Sequence, residues 1–213
     1  MKLKVLTTCD NQQHEGYLKL KVSLEKFGYD FECIDHKFEF GHQLPVIQKW
    51  CEDYIGNCTH ILYTDAFDTI AFANQHEVIQ KFITVFEGFK MLISGEKNCY
   101  PHPERASDYP YSDSPFRFVN GGGWLVEIEY FKELCKKENL NSDSHDQVWL
   151  MDAYLKNQSD IMVDTHCEIF QTIAFSNIEE WQKEGERFRN IKENSLPIFY
   201  HGNGRTNMSW LYQ

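Results

Sequence analysis

A run of strand-forming residues, His60-Ile61-Leu62-Tyr63-Thr64, ends in two carboxylates, Asp65 and Asp68, three positions apart. An uninterrupted apolar run of this length marks a strand buried on both faces, and carboxyl ends of strands are where open α/β sheets place their ligands. In an extended chain residues i and i+3 point to opposite faces. Asp65 and Asp68 can therefore share one cation only if the chain leaves the sheet and turns at Ala66-Phe67. Taken by itself, the stretch also reads as a strand followed by an acidic turn.

The flanking pattern supplies the sheet. Leu3 to Thr8 is a first short apolar run, ending in Thr7-Thr8-Cys9-Asp10. Tyr17, Leu20, Leu24 and Phe27 recur at helical spacing from about Glu15 to Phe27, with Gly28 as the stop. Tyr29 to Asp35 is expected to be a strand, and Pro45 to open a helix whose apolar face is Val46, Ile47, Trp50 and Tyr54. After the central strand come a helix from Glu77, a strand at Lys90 to Gly95, an extended path at Phe118 to Val126, and a helix over Tyr130 to Lys137. A further helix from about Ser144 to Lys156 follows a cap-like Ser142-Asp143-Ser144. Strands are expected at Ile161 to Asp164, Ile169 to Thr172 and Ile198 to Tyr200. This alternation predicts a doubly wound α/β fold in a single domain over 1–213. Between Asn98 and Phe116 four prolines forbid a long regular element, and a loop of that length is either a functional lid or a segment free to vary.

Charge and cysteine usage narrow the function. The net charge is −11 with no Lys/Arg cluster, which disfavours nucleic acid as a partner. A small anionic ligand would need a local reversal of field, for which a divalent cation is the simplest device. Seven scattered cysteines without a C-x-x-C pair argue against a disulfide framework and a structural zinc site. No membrane span is expected, since no stretch approaches 18 apolar residues, and the start of the chain reads as cytoplasmic.

Three further constellations accompany the aspartates. Asn120-Gly121-Gly122-Gly123 is a glycine-rich turn suited to close backbone approach to a ligand, or a bulge or tight bend. His145-Asp146-Gln147 opens a helix, as a capping pair or as polar groups facing a site. His201-Gly202-Asn203-Gly204 permits left-handed geometry, so that successive amides form an anion-binding nest beside an imidazole; the alternative is a plain turn.

Jointly these segments resemble a known family. Tyr63-Thr-Asp-Ala-Phe-Asp, Ser94-Gly-Glu-Lys-Asn-Cys-Tyr-Pro, Phe118-Val-Asn-Gly-Gly-Gly, Ser144-His-Asp-Gln, Glu168-Ile-Phe-Gln and Pro197-Ile-Phe-Tyr-His-Gly-Asn-Gly are similar, in order and spacing, to the glycosyltransferase domain of procollagen lysyl hydroxylases. The likeness runs from Val5 to about Thr206. It implies a GT-A-type, Rossmann-like mixed sheet with a nucleotide-sugar site at its carboxyl edge and Mn²⁺ bridging protein and diphosphate. By resemblance, Asp65, Asp68 and His201 are metal ligands. Thr7 or Thr8 and Phe67 fall near the uridine site, and Tyr100 falls on an aromatic over the sugar, where the family has tryptophan. Asn120, Gly121 and Gly122 match the sugar-side turn, and Gln147 belongs to the same sugar and acceptor region. Gly202, Asn203 and Gly204 are expected to contact the diphosphate. Arg205 is expected to replace the family's lysine as the diphosphate's cation, two residues displaced. His145-Asp146 stands where the family has paired acids, and Asp146 is the candidate for orienting donor or acceptor hydroxyls. The family's dioxygenase domains have no counterpart in this sequence.

The chemistry agrees. Carboxylates with phosphate oxygens suit Mg²⁺ or Mn²⁺, and an added imidazole moves the preference toward Mn²⁺. A cation on the diphosphate stabilises the departing group more in the transition state than in the ground state. The expected function is Mn²⁺-dependent transfer of a hexose, glucose or galactose, from a UDP-sugar to an acceptor hydroxyl, with retention suggested by the resemblance. The acceptor is a glycan, a peptide or a small molecule. Two other classes compete. An aspartyl-phosphate phosphatase needs its second aspartate two residues on, on the same face, where this chain has three. A nucleotide-sugar-binding protein without turnover would keep the same residues.

Overall fold

The computed structural model describes residues 1–37 and 41–212, and the side chains of Arg205 and Tyr212 lie outside the described set. Six strands form the main sheet in the order β2-β1-β3-β6-β5-β7: β1 (Leu3–Cys9), β2 (Phe31–Asp35), β3 (His60–Thr64), β5 (Met91–Glu96), β6 (Phe118–Glu127) and β7 (Ile161–Asp164). All run parallel except β6, which is antiparallel to both β3 and β5. A three-stranded sheet, β4 (Thr69–Ala71), β11 (Phe199–His201) and β8 (Phe170–Thr172), lies beside it, with β11 antiparallel to β4 and parallel to β8. The fold is therefore the doubly wound α/β architecture that the alternating pattern predicts, with the mixed sheet that the resemblance implies.

Period-2 alternation explains why the strand sequences are apolar throughout. Leu6, Ile61, Tyr63, Ile93, Trp124 and Val126 face one layer, built by α2 (Leu44–Asp53), α4 (Ile128–Lys137) and α5 (Asp146–Lys156). Their neighbours Val5, Leu62, Leu92 and Leu125 face α1 (Glu15–Lys26), α3 (Gln75–Val85) and the smaller sheet. Both faces are covered, so neither set of positions tolerates polar residues. Cap chemistry defines the helix ends: His14 Nδ1 accepts from Gly16 N at 3.1 Å, Asn74 Oδ1 accepts from Glu77 N at 3.1 Å, and Gly28 follows α1 at φ +70°.

Several expectations are corrected. The Asn120 to Gly123 segment is the bulge alternative and not a turn: it lies inside β6, on the extended path expected over Phe118 to Val126. Its register against β5 jumps between Ile93↔Trp124 and Ser94↔Asn120, while Thr64↔Gly123 pairing to β3 persists, so the glycines bulge away from β5 and stay bonded to β3. The helix expected from Ser144 starts at Asp146, and its cap residue His145 makes no side-chain capping bond. The strand β4 and the hairpin β9 (Trp181–Glu184) and β10 (Arg187–Asn190) have no counterpart in the expected elements. β4 is only three residues long, and the hairpin strands are short and rich in charged residues, their buried apolar side chains being Trp181 and Phe188, against Tyr200, Met208 and Leu211. The 98–116 loop holds a 3-10 turn at Pro103–Asp108 and is tied down by Arg105 Nη1 to Asp152 at 2.6 Å and by the buried Tyr109 against Phe118 and Tyr154.

Candidate metal and nucleotide-sugar site

The chain leaves β3 still extended, with Asp65 N donating to Gly122 O at 3.0 Å, and turns before β4 begins at Thr69. That turn reverses the i and i+3 orientation and brings both carboxylates to one side. His201, the last residue of β11, arrives from the neighbouring sheet, and Gly202 N donates to Asp68 O at 2.7 Å to lock the two segments together. His201 Nε2 lies 3.4 Å from Asp65 Oδ2 and 3.4 Å from Asp68 Oδ1. One ligand atom of each residue lies within 4.8 Å of those of the other two. Residues 136 positions apart in sequence thus share one small volume.

Electrostatics follow from that convergence. Burial by itself pushes the His201 imidazole down, but Asp68 and then Asp65 hold its proton and raise it to about 10. Burial likewise opposes ionisation of Asp68, and the His201 charge outweighs it, leaving that carboxyl below its ordinary value. His201 Nδ1 lies 3.0 Å from Asn120 Oδ1, an oxygen that also accepts from Gly122 N at 3.1 Å. The other end of that amide, Nδ2, donates to Glu96 Oε1 at 3.3 Å. With the amide so oriented, Nδ1 carries a proton in every state. Nε2 is then the nitrogen that gives up its proton to become a ligand.

The space around the three side chains fits a cation. A Cβ on Gly122 would lie 2.1 Å from His201 Cε1 and 2.7 Å from Asp65 Oδ2, so the glycine backbone forms the floor of the cluster where any side chain would fill it. Two carboxylates and one imidazole form a donor set for a divalent metal of the Mn²⁺ or Mg²⁺ type, as the hard oxygen ligands prescribe. One oxygen each from Asp65 and Asp68 and Nε2 of His201 would hold it.

Around this centre, Glu96 ties together residues that the sequence places far apart. It is buried at the end of β5, accepts from Asn120 Nδ2, from Gln147 Nε2 at 2.5 Å, and, through Oε2, from Asn203 Nδ2 at 3.0 Å. Burial raises its carboxyl above the ordinary value although Gln147, Asn120 and Asn203 all donate to it. Gln147 also donates to Tyr100 O and Val119 O, each at 3.1 Å, and Gly121 N donates to Gln147 Oε1 at 3.3 Å. Sequence reasoning passed over Glu96. Its signal was available in principle: a lone acid closing an otherwise apolar strand.

The remaining expected residues fall in different settings. Tyr63 links Thr8 to Asp65, with its hydroxyl 3.4 Å from Thr8 Oγ1 and donating to Asp65 Oδ1 at 3.1 Å. Thr7 Oγ1 is buried without a partner among the described residues. Phe67 packs its ring 4.4 Å from His14, and its carbonyl abuts Gly16, where a Cβ would approach to 1.9 Å. Tyr100 is exposed.

The His201 to Gly204 segment runs from the end of β11 into a short 3-10 turn at Asn203–Arg205. Only Gly204 is left-handed, at φ 66°, Gly202 N is already bonded to Asp68, and Asn203 Oδ1 accepts from Ala174 N at 2.9 Å. Arg205, the expected diphosphate cation, has its side chain outside the described residues. Asp146 does not present a free carboxylate. Its Oδ2 accepts from Gln43 N at 2.7 Å and its Oδ1 from Leu44 N at 3.1 Å, so it caps α2, not its own helix. Burial raises it to about 6 against those two bonds.

A doubly wound mixed sheet with this carboxylate and imidazole cluster at its carboxyl edge defines a GT-A-type glycosyltransferase fold. Solved structures agree: a glycosyltransferase involved in glycosylation of the major capsid of PBCV-1 matches with TM-score 0.57 and 13% identity, covering 99% of this chain and 97% of that one. Mouse xyloside xylosyltransferase 1, in its apo form, matches with TM-score 0.57 and 12% identity over 98% of this chain and 99% of that one. The PLOD GT domain model matches residues 1–212, and the chain belongs to that family. It is 26% identical over 230 residues to the multifunctional procollagen lysine hydroxylase and glycosyltransferase LH3 of Homo sapiens, covering 99% of this chain and 31% of that protein. The corresponding Caenorhabditis elegans protein is 23% identical over 220 residues, covering 94% and 30%. The chain therefore spans about a third of the length of these curated relatives.

Proposed function

We propose that this chain is a metal-dependent glycosyltransferase that moves a hexosyl group, glucosyl or galactosyl, from a UDP-sugar to an acceptor hydroxyl, with Mn²⁺ as the preferred ion. The observation that carries this reading is the meeting of Asp65, Asp68 and His201 at the carboxyl edge of the sheet. Family membership over the whole length supports it.

When bound, the cation neutralises charge that develops on the departing diphosphate, so no protein acid is required to protonate the leaving group. The chain's own residues hold and orient. Asp65, Asp68 and His201 supply the ligands, and Asn120 fixes the His201 ring so that Nε2 faces the carboxylates. Glu96 holds Asn120, Gln147 and Asn203 in register beside the glycine floor, where the sugar is expected to lie. In the reaction the bond from C1 to the diphosphate oxygen breaks, a bond from C1 to the acceptor oxygen forms, and the acceptor's proton passes to the departing diphosphate and from there to water. Asp146, with both oxygens engaged, acts in this reading by positioning α2 and the start of α5.

The test is calorimetric titration of UDP with and without Mn²⁺ on the wild type, Asp65→Ala and Asp68→Ala, followed by UDP-glucose and UDP-galactose hydrolysis. Mn²⁺-dependent UDP binding and sugar release should appear in the wild type and disappear in both variants. Equal binding in either folded variant overturns the metal assignment. Binding without sugar release would reduce the chain to a nucleotide-sugar-binding protein.

A further inference from the structure

The two oxygens of Asp65 are not equivalent. Oδ2 faces His201 and Oδ1 accepts the Tyr63 hydroxyl at 3.1 Å. The arrangement follows from strand geometry: Tyr63 and Asp65 are two residues apart on a segment still extended at Asp65, so their side chains leave the same face. Tyr63 is 3% exposed. Its ring is pinned by the cross-strand partner Trp124, stacked at 5.2 Å between centroids and 20° between planes. On the other side, β1 pairs Leu6 with Tyr63, which puts Thr8, two residues further along the same face, beside the phenol. Because the Tyr63 proton goes to Asp65, the Thr8 hydroxyl donates into the Tyr63 oxygen across their 3.4 Å contact.

We propose that Tyr63 is a positioning residue for the metal centre: its hydroxyl engages Asp65 Oδ1 and leaves Oδ2 as the single oxygen this aspartate turns toward the cation. The inference rests on the metal reading of the site and adds to it a residue that reaches the ion only through a ligand. A partner of this kind holds the ligand's orientation, and losing it typically lowers metal affinity ten- to a hundredfold. Tyr63 also connects the metal side of the cleft to the end of β1, so the orientation of Asp65 is linked to whatever engages Thr8.

The experiment titrates Mn²⁺ into nucleotide-free protein and reads the free ion by electron paramagnetic resonance. Tyr63→Phe keeps the ring on Trp124 and removes only the hydroxyl. It should weaken Mn²⁺ binding about tenfold or more with the melting temperature of the metal-free protein little changed; Tyr63→Leu serves the same comparison where Tyr63→Phe fails to accumulate. In an Asp65→Asn background, the same substitution should have no further effect, because the hydroxyl acts only through that carboxylate. A role confined to packing would lower the melting temperature and leave affinity unmoved. Unchanged affinity in a folded Tyr63 variant, or an equal loss with Asp65→Asn present, overturns the inference alone. A wild type that binds no Mn²⁺, with or without UDP, overturns the proposed function and this inference together.

Discussion

Gly122 and His201 are in such close contact that a single added carbon on the glycine would sit 2.1 Å from the imidazole Cε1. The ring is buried and held at Nδ1 by Asn120, so it has no room to retreat. Gly122→Ala should therefore abolish Mn²⁺ binding and destabilise the fold by roughly 1–3 kcal/mol, as overpacking does. Gly121→Ala is the internal control, since its Cβ would meet Gln147 at an ordinary 3.6 Å. Paired thermal melts and Mn²⁺ titrations check the contrast, and equal behaviour of the two variants would contradict it.

Glu96 accepts from three amides, and a glutamine in its place has one acceptor oxygen and brings two donors of its own. Glu96→Gln should cost about 1–3 kcal/mol through mismatched buried amides. It should also weaken Mn²⁺ binding, because Asn120 loses the partner that orients it toward His201. Denaturant unfolding and metal titration measure the two effects separately.

Asp146 serves α2 across 102–103 residues of sequence, with its two oxygens on the Gln43 and Leu44 amides. Removing a carboxylate that satisfies a helix start costs typically about 1–2 kcal/mol. Asp146→Ala should lose that much, and Asp146→Asn less, because its one carbonyl still accepts. Unfolding free energies of the two variants order the series, and equal stability of wild type and Asp146→Ala would refute the capping role.

Asp164 is fully buried, accepting from the Glu168, Ile169 and Phe170 amides, yet burial outweighs those bonds and raises it from 3.8 to about 6. A carboxyl whose folded value lies above its unfolded one binds more protons in the folded state between those values. Its contribution is thus most favourable below about pH 4 and is lost as pH rises through 6, a change of about 3 kcal/mol at 1.36 kcal/mol per unit. Asp164→Asn cannot ionise. The stability gap between wild type and Asp164→Asn should therefore narrow from pH 4 to pH 7, read by urea unfolding at each pH. A gap constant across that range would contradict the shift.

Much of the architecture was legible in the linear order of residues. Apolar runs such as Ile61-Leu62 and Leu92-Ile93 send alternate side chains to two covered layers, and no other environment accepts that composition. The α1 helix and its glycine stop fell within a residue of expectation, because 3.6-residue spacing and a left-handed glycine are local properties. Less legible were β4, a three-residue strand whose partner β11 lies far along the chain, and the hairpin of β9 and β10, whose charged strands leave little apolar signal.

Residue types alone determined that this chain has carboxylates at a strand end, an imidazole in a glycine-rich tail and a glycine run capable of close approach. Only the tertiary structure decided that these meet, that the glycines are a bulged strand under the cluster, that Asp146 caps a different helix, and that Glu96 and Tyr63 support the ligands. The physical reason is range: helix periodicity and turn chemistry act over a few residues, whereas hydrogen bonds spanning 81, 103 and 107 positions exist only once the elements that carry them have packed.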